Sequence, residues 1–572
     1  MLWSPSWKSA LYHTLIWIEY LIFYFISREI IRARNGYQMM IGGLTLIFLL
    51  IGIPAFLEYC SFQYFGGATQ IGMRFSKYGE QVVSFFPLVL VGILRYSKKR
   101  FLIGLFVISI LWLFIISTLG RTNLLLFTGE CAAILGIIFI FKRFHRYRLK
   151  ALKAALTLLL IPVPAHLVTF FTSDPGIPII KRMSDAKGIS YSGNFRKLMY
   201  SVSFEMFAAH PLTGIGAGNF GIQFNNYRMS YAVKNPTDVN LMTAENELAE
   251  RSHSEYIQIL AELGIPGLLI FAAFLIGIVL LAVESLKSFR RISLFQIAAL
   301  TGVFAFLLSS MISSFSFRLM QNGLVFFFVL AVAAKLSFRS KSDKTKSEEI
   351  QLSANGLKLG YAMGMIACIS LAGYCLSRAM SSYYTNQALQ TGNFQQAEQY
   401  FVKAARLDNE NPDLHFVYGA RLIGEKNYAE AAEHFQKEIR LGRATATDYA
   451  YLAMAQNLSE NPSGAEKTFA DAAKLYPFSP FVRTRYAAIL NGNGKSAEAE
   501  NELAAARKIN LRETNTWWKL INDGSKAAQR EAFGNDDFIE IPDMPDGGCF
   551  RIILAERRIK YGLEEPEIKF DN

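Results

Sequence analysis

A histidine and an arginine stand close to the start of a long apolar stretch. His253 lies in RSHSEYIQILAELGIPGLLIF, whose second half is apolar enough to enter a membrane, and Arg196 lies upstream in NFRKLMYSVSFEMF. An imidazole suits proton transfer near neutral pH, and a guanidinium binds phosphate oxygens in pairs. Titratable groups are costly beside lipid, so an enzyme gains from this placement when it acts on a lipid-borne, water-exposed group. We therefore predict a lipid-linked polar substrate.

The composition is that of a membrane protein. Hydrophobic residues make up 52% of the chain and the mean hydropathy is +0.23, more than one soluble core requires. The net charge of +13 comes from basic residues clustered in short loops between apolar runs, so we interpret it as a topology signal rather than as nucleic-acid binding. The five cysteines form no CxxC pair and predict neither a disulfide framework nor a metal site.

Apolar runs of about the length of a membrane-crossing helix recur along the first two thirds of the chain. They cover residues 11–27, 38–57, 82–97, 101–120, 122–142, 152–171, 257–284, 294–316, 323–338 and 357–377. Every second loop is strongly basic, which places the segment 172–256 and the C-terminal tail on the outward side. The same rule puts Met1 outside without a cleavable signal, so missing upstream helices and an interfacial first segment both stay open. The prediction is an all-α membrane domain over residues 1–377.

Beyond residue 377 a repeat with a period of 34 residues replaces the apolar runs. Each repeat has an alanine, a bulky residue four positions later and, in three of the four, an asparagine before them; these are Ala397, Ala431, Ala465 and Ala499, then Phe401, Phe435, Phe469 and Leu503, and Asn393, Asn427 and Asn461. The pattern predicts a solenoid of tetratricopeptide repeats (TPR) over 378–511, with 512–572 as a cap or tail. Such arrays offer concave protein-binding surfaces, so we expect a protein acceptor or partner.

Two motifs carry a family resemblance, HPLTGIGAGNF at 210–220 and HSEYIQILAELGIPGL at 253–268. They resemble the O-antigen ligase family, which includes bacterial protein O-oligosaccharyltransferases and polysaccharide polymerases, over residues 117–320. The resemblance implies a polytopic helical bundle of the GT-C type in the bacterial inner membrane, with the loop 172–256 in the periplasm. It also implies transfer of a glycan from undecaprenyl diphosphate without a metal or another cofactor. Lipid A core, a protein hydroxyl and a growing glycan all remain open as acceptors.

Three arginines are candidates for binding the donor diphosphate, because its departure develops negative charge that a cation must offset. Arg121 lies in the turn STLGRTN, Arg196 begins the long segment, and Arg318 lies in FSFRLM on another outward turn. The resemblance implies donor binding for Arg121 and Arg196. The alternatives are a helix anchor for Arg121, a solvated charge for Arg196 and an interfacial anchor for Arg318.

His253 is the candidate catalytic residue, and we expect it to remove or orient the proton of the acceptor hydroxyl. The resemblance implies this role too, with a capping or interfacial histidine as the alternative. Glu250 is better spaced than Glu255 to orient the imidazole, and we expect most acids of the segment to be solvated. His210, before the glycine-rich turn, is interpreted as structural. Glu130, buried in the membrane by its sequence position, needs a partner or a proton.

The resulting hypothesis is a glycosyltransferase that inverts the anomeric carbon. A transporter with a gating loop and a non-catalytic membrane scaffold are the alternatives from other classes. A transporter would be expected to show repeated and broken midplane helices, which the sequence does not display.

Overall fold

The computed structural model describes residues 4–32, 36–65, 75–118, 120–160, 186–242, 249, 251–287, 292–313, 317–339, 354–442 and 444–522. Every regular element within these ranges is a helix, which confirms the predicted all-α class. The first thirteen are α1 (Trp7–Arg32), α2 (Gly36–Phe65), α3 (Phe75–Val82), α4 (Phe86–Leu94), α5 (Lys98–Ser117), α6 (Arg121–Ile140), α7 (Arg148–Leu160), α8 (Ala186–Ala209), α9 (Phe220–Lys234), α10 (Glu255–Lys287), α11 (Leu294–Ser309), α12 (Met320–Arg339) and α13 (Ala354–Gln390).

Among the described residues, six helices are long and apolar enough to cross a membrane, which confirms a multi-pass membrane protein. These spans are Trp7–Ile31, Gln38–Leu57, Lys98–Ser117, Arg121–Ile140, Glu255–Lys287 and Gly364–Gln390. Two shorter apolar helices, Leu294–Ser309 and Met320–Ala334, lie between the last two of them. We call the end of this bundle where α6, α10 and α12 begin the site end.

The predicted span over 82–97 is wrong. A turn at residues 83–85 separates α3 from α4, and α4 has only 9 residues, too few to cross a bilayer. Leu88, Leu90 and Val91 on α4 are fully buried, so the run is apolar because it packs inside the protein. The run 152–171 also differs, because α7 ends at Leu160 and the rest lies outside the described residues.

Aromatic side chains hold the site end together. Tyr20 of α1 donates a hydrogen bond to the carbonyl oxygen of Phe317 at 2.8 Å. A Cβ on Gly323 would lie 2.0 Å from the Tyr20 ring, so α1 and α12 can approach this closely only at a glycine. The Phe317 ring packs on Phe306 and Phe326 at centroid distances of 5.0 and 5.1 Å. The turn that carries Arg318 is fixed by these contacts.

Eight further helices follow, and we call residues 394–522 the hairpin region. They are α14 (Phe394–Leu407), α15 (Pro412–Gly424), α16 (Tyr428–Arg440), α17 (Ala446–Leu458), α18 (Pro462–Leu475), α19 (Pro480–Gly492), α20 (Ser496–Ile509) and α21 (Leu511–Asn522). Consecutive helices pack on each other across short turns, as in helical hairpins. The region is continuous with the membrane part, because α13 passes residue 377 as one helix.

The repeated residues occupy equivalent places in alternate helices. All four repeat alanines and all four bulky residues are buried, at 3% exposure or less. Asn393 and Asn461 accept a hydrogen bond from the backbone N–H three residues on, and Asn427 stands at the same helix start. The 34-residue pattern therefore marks paired helices, while their assignment as tetratricopeptide repeats stays a prediction. Of the predicted cap, 523–572 lies outside the described residues.

The start of α1 touches the hairpin region directly. Ser6 donates a hydrogen bond to the Glu410 carboxylate at 3.0 Å, and the Lys8 ammonium lies 3.5 Å from the same group. The chain's first helix therefore begins at the end of the bundle where the hairpin region lies.

Acid sensitivity of the hairpin region is expected from a histidine pair. The Nδ1 atoms of His415 and His434 are 2.9 Å apart, so one neutral ring can donate to the other. Burial, with His415 and Lys437 nearby, lowers the pKa of His434 to about 4, and burial also lowers the pKa of His415. The unfolded histidines bind protons near pH 6.5. The stabilisation that the folded protein gains from the neutral histidine pair is therefore complete above about pH 6.5, and it is lost as the pH falls towards 4.

We expect His434→Gln to weaken the dependence of the protein's stability on pH. The melting temperature in detergent, followed by circular dichroism at pH 7 and pH 4.5, should fall less for the variant than for the wild type. His145→Gln, at an exposed histidine beyond α6, serves as the control and should behave as the wild type. Equal acid sensitivity of wild type and His434→Gln would contradict the assignment.

Candidate active site

The two sequence motifs meet at a break in α10. Gly264 has φ 64° and ψ −161°, which interrupts the helix beside Pro266. The loop 211–216 supplies the missing partners: the Ile265 N–H donates to the Pro211 carbonyl at 2.9 Å, and the Gly216 N–H donates to the Glu262 carbonyl at 2.9 Å. Backbone groups at membrane depth must be satisfied within the protein. This pairing explains why HPLTGIG and ELGIPG belong together.

The glycines of this loop are required by its backbone. Gly214, Gly216 and Gly218 have φ values of 62°, 95° and 70°, in a region where other residues are strained. A Cβ on Gly214 would lie 2.2 Å from the backbone carbon of Glu262, and one on Gly218 would lie 2.2 Å from His13 Nδ1. The loop is thus pressed between α10 and α1, as expected for a turn that shapes the site.

Gly214→Ala is expected to lower the free energy of unfolding by about 3 kcal/mol or more, because strain at positive φ adds to a clash with backbone. Gly193→Ala is the matched control: Gly193 lies inside α8 with nothing within 4 Å of an added Cβ. It should be neutral or stabilise by up to about 1 kcal/mol. Thermal unfolding in detergent measures both, and equal melting temperatures would contradict this account of the loop.

Arg318 lies in a buried ion cluster with two carboxylates of α10. Its Nε is 2.8 Å from Glu255 and its Nη1 is 2.7 Å from Glu262. Gln258 donates to Glu262 Oε1 at 2.8 Å, and the Gly218 N–H donates at 2.9 Å to Oε2, the oxygen that Arg318 also contacts. Burial opposes the charge on Arg318, but the two carboxylates outweigh it and raise its pKa.

This cluster changes the interpretation of two residues. Arg318, which we predicted to bind diphosphate, is only 7% exposed and is held between two glutamates. Diphosphate binding by Arg318 stays a prediction. The expectation that the acids of this segment are mostly solvated is wrong for Glu255, which is 2% exposed.

His253 lies in a strained turn immediately before α10. Its φ is 60°, in the left-handed region, which costs a non-glycine residue about 1–2 kcal/mol. The turn is fixed from both sides: the Ser254 N–H donates to Ser252 Oγ at 3.2 Å, and the Glu255 N–H donates to the Ser310 carbonyl at 2.9 Å. Strain that the surroundings maintain in this way is concentrated at functional sites. The arrangement fixes the position of the imidazole.

Arg196 follows directly after a residue that contacts His253. The Phe195 ring meets the His253 ring edge to face, with centroids 5.3 Å apart. Arg196 is half-buried, and its Nε is buried without a hydrogen-bond partner among the residues described. A buried guanidinium nitrogen normally has an acceptor. The residue next to Arg196 in sequence thus contacts His253, and Arg196 itself has a buried donor without an acceptor among the described residues.

Arg121 is the first residue of α6 and is half-buried at the site end. The first turn of α6 contains no acid, so the guanidinium adds to the positive end of the helix dipole. The first turn of α6 is linked to the α11–α12 turn through α3. Gly79 of α3 packs so closely on Asn123 of α6 that a Cβ on it would lie 2.8 Å from Asn123 Nδ2. Ser313 of the α11–α12 turn donates to Glu80 of α3 at 3.2 Å. Arg121 thus borders the same end of the bundle as His253.

The remaining candidates differ in what the structure shows. His210 is exposed and follows directly after α8; its carbonyl accepts from the Gly214 N–H at 2.8 Å, and the centre of its ring lies 6.4 Å from that of Tyr227. Glu250 lies outside the described residues. Glu130 is 3% exposed, and neither carboxyl oxygen has a hydrogen-bond partner within the described ranges.

The predicted site residues do not include a polar stripe on α10. Glu255, Gln258 and Glu262 follow one another at spacings of three and four, so they share a face of α10. Ionisable residues on an otherwise apolar helix signal a functional or structural cluster, and this signal was available. Across the residues described, no three His, Cys, Asp or Glu side chains converge as metal ligands would.

Comparison with known proteins supports the motif resemblance. Residues 105–272 match the family model described as O-Antigen ligase. The match runs from α5 to the apolar part of α10, includes Arg121, Arg196 and His253, and leaves the hairpin region outside. No curated protein matches the chain.

Proposed function

We propose that this protein is a membrane glycosyltransferase that moves a glycan from undecaprenyl diphosphate to an acceptor on the periplasmic side of the bacterial inner membrane. The observation that supports it best is Arg196, whose buried Nε lacks an acceptor among the described residues one position from the ring that packs on His253. The O-antigen ligase match over 105–272 points to the same class of reaction.

In this proposal the guanidinium groups of Arg121 and Arg196 bind the diphosphate of the donor. The acceptor oxygen attacks the anomeric carbon, its bond to the diphosphate oxygen breaks, and the diphosphate leaves with both electrons. Paired N–H donors neutralise the developing charge without a metal ion. Attack opposite the leaving group inverts the anomeric carbon.

His253 takes the acceptor's hydroxyl proton as the new bond forms and later releases it to water. The strained turn and the Phe195 ring hold the imidazole in one orientation, so little ordering is needed during the reaction. Arg318 and its two glutamates support the site indirectly, because their ion pairs hold the start of α10 against the turn before α12. Glu250 as an orienting carboxylate, and His210 as the residue that ends α8 at the loop, complete the proposal.

Three acceptors are compatible with this chemistry: lipid A core, a protein hydroxyl and a second glycan. The hairpin region, which we propose is built of tetratricopeptide repeats, favours a protein acceptor or an assembly partner. A polymerase of the same family would use the same donor site and differ only in taking a glycan as acceptor.

A complementation experiment tests the proposal. A strain lacking the gene is expected to accumulate the undecaprenyl-linked donor and to lose one glycoconjugate, whose identity names the acceptor. Arg196→Gln should fail to restore it, because the donor loses a bidentate partner. Lys197→Gln, at the exposed neighbouring residue, is the matched control and should restore it. Full restoration by Arg196→Gln would contradict the assigned role, and absence of donor accumulation would contradict the proposed class.

A further inference from the structure

The segment that carries Arg196 is joined directly to the hairpin region. We call residues 186–242, which contain α8 and α9, the inserted segment. Asn225 on α9 donates a hydrogen bond to the Ala444 carbonyl at 2.8 Å, just before α17. Arg228, one turn further, places its guanidinium carbon 4.6 Å from the centre of the Tyr476 ring, just after α18. Two separate turns of the hairpin region are thus bound to one face of α9.

Arg228 is the central contact of this interface. It is 1% exposed, and its Nη2 donates to the Leu241 carbonyl at 3.1 Å. A guanidinium is buried at a cost unless donors are satisfied and its charge is compensated. The face of the Tyr476 ring supplies part of that compensation, and such an interaction strengthens when water is excluded. The Tyr476 ring of the hairpin region is therefore one of the groups that stabilise this buried charge of the inserted segment.

The backbones also approach closely here. Gly442 has φ 79°, and a Cβ on it would lie 2.1 Å from the Cα of Ile222. Met229 of α9 packs into the hairpin-region core that contains Trp517, and Phe478 of the hairpin region packs into the core of the inserted segment. Each part thus lends a side chain to the other's core, as in a single packed unit rather than two tethered domains.

The interface is connected to the candidate active site through one hydrophobic cluster. Phe220 and Phe224 of α9 belong to the same buried cluster as Phe195 of α8. Phe195 in turn contacts His253, and Arg196 is its neighbour. Packed interiors transmit displacements because they contain few voids. A shift of α9 at Tyr476 is therefore expected to reach Phe195, which contacts the imidazole and precedes Arg196 in α8.

From these contacts we propose that Arg228 and Tyr476 are positioning residues for glycan transfer, and that the hairpin region is part of the catalytic scaffold. It holds the inserted segment so that Arg196 and His253 keep their mutual placement. This inference rests on the proposed function and assigns the hairpin region a role besides partner binding.

The test compares Tyr476→Leu with Tyr476→Phe in the full-length protein. Tyr476→Leu removes the ring face and should lower kcat for transfer by about 10- to 100-fold, with a smaller change in KM for the donor. Tyr476→Phe keeps the ring and should stay near the wild type. Tyr400→Leu is the control, because Tyr400 stacks on Tyr384 within the α13–α14 pair. It should leave kcat unchanged.

Hydrogen exchange supplies a readout that does not depend on activity. Tyr476→Leu should increase deuterium uptake of 195–209 while α5 and α6 keep wild-type protection. Wild-type kcat together with wild-type exchange at 195–209 would overturn the inference. A wild-type protein without transfer activity would instead refute the proposed function, whereas the exchange comparison would still decide the coupling.

Asn225→Ala is the milder second variant, for use if Tyr476→Leu does not fold. It loses one hydrogen bond to the hairpin region, and we expect a several-fold fall in kcat with the melting temperature almost unchanged. An unchanged kcat in folded Asn225→Ala, with wild-type exchange at 195–209, would equally overturn the inference.

Discussion

Replacing His253 with asparagine is expected to lower the rate of glycan transfer by about 10²- to 10⁴-fold, the usual contribution of a positioned general base. Asparagine is chosen because it tolerates the left-handed region better than most residues, so the turn at φ 60° should persist. The melting temperature should therefore stay near that of the wild type. Transfer is measured in proteoliposomes with saturating donor.

His145→Asn, at an exposed histidine beyond α6, is the control for this experiment and should retain full activity. Donor binding is measured in parallel, because the arginines rather than the imidazole are proposed to hold the diphosphate. We expect an unchanged Kd in His253→Asn. A fully active His253→Asn variant with a wild-type melting temperature would remove His253 from the site.

The second large effect is expected at the ion cluster. Arg318→Met leaves Glu255 and Glu262 buried without their cation and should destabilise the protein by about 3–5 kcal/mol. Arg483→Met is the matched control: Arg483 also pairs with a carboxylate, at 2.6 Å, but both partners are partly exposed. Its cost should be about 1 kcal/mol or less. Thermal and denaturant unfolding in detergent compare the two.

A triple variant separates charge from packing. Removing the two acids as well, in Arg318→Met with Glu255→Gln and Glu262→Gln, should recover much of the stability, because no uncompensated charge then remains buried. If Arg318→Met were no less stable than Arg483→Met, the cluster would not have the structural role assigned to it.

The sequence alone predicts the structural features that depend on a local pattern of residues. The 34-residue spacing predicts a repeated pair of helices, and in the structure its alanines are buried and its asparagines stand at helix starts, because both depend on position within one helix. The chemistry of Arg196 and His253 at a membrane boundary predicts them as site residues. The structure adds a contact between Phe195, the neighbour of Arg196, and His253; these two residues are 58 positions apart, so no local pattern contains their contact.

Three features could be found only in the folded structure. Hydropathy alone predicts a membrane span that includes α4, because an apolar run buried in protein has the same hydropathy as one buried in lipid. The pairing of the loop 211–216 with the break at Gly264 joins segments about fifty residues apart, and each motif alone predicts only a turn or a kink. The sequence does not predict the partners of Arg318 for the same reason, since α10 and the turn before α12 are far apart in sequence and come into contact only in the fold.

The central claim is tested most directly with purified protein in liposomes, given an undecaprenyl-diphosphate-linked glycan and the acceptor found by complementation. We predict that undecaprenyl diphosphate is released in equal amount to the glycosylated acceptor. The double variant Arg121→Gln with Arg196→Gln should bind the donor more weakly and release almost none. Equal release by wild type and double variant, or acceptor glycosylation without release of the diphosphate, would contradict the account.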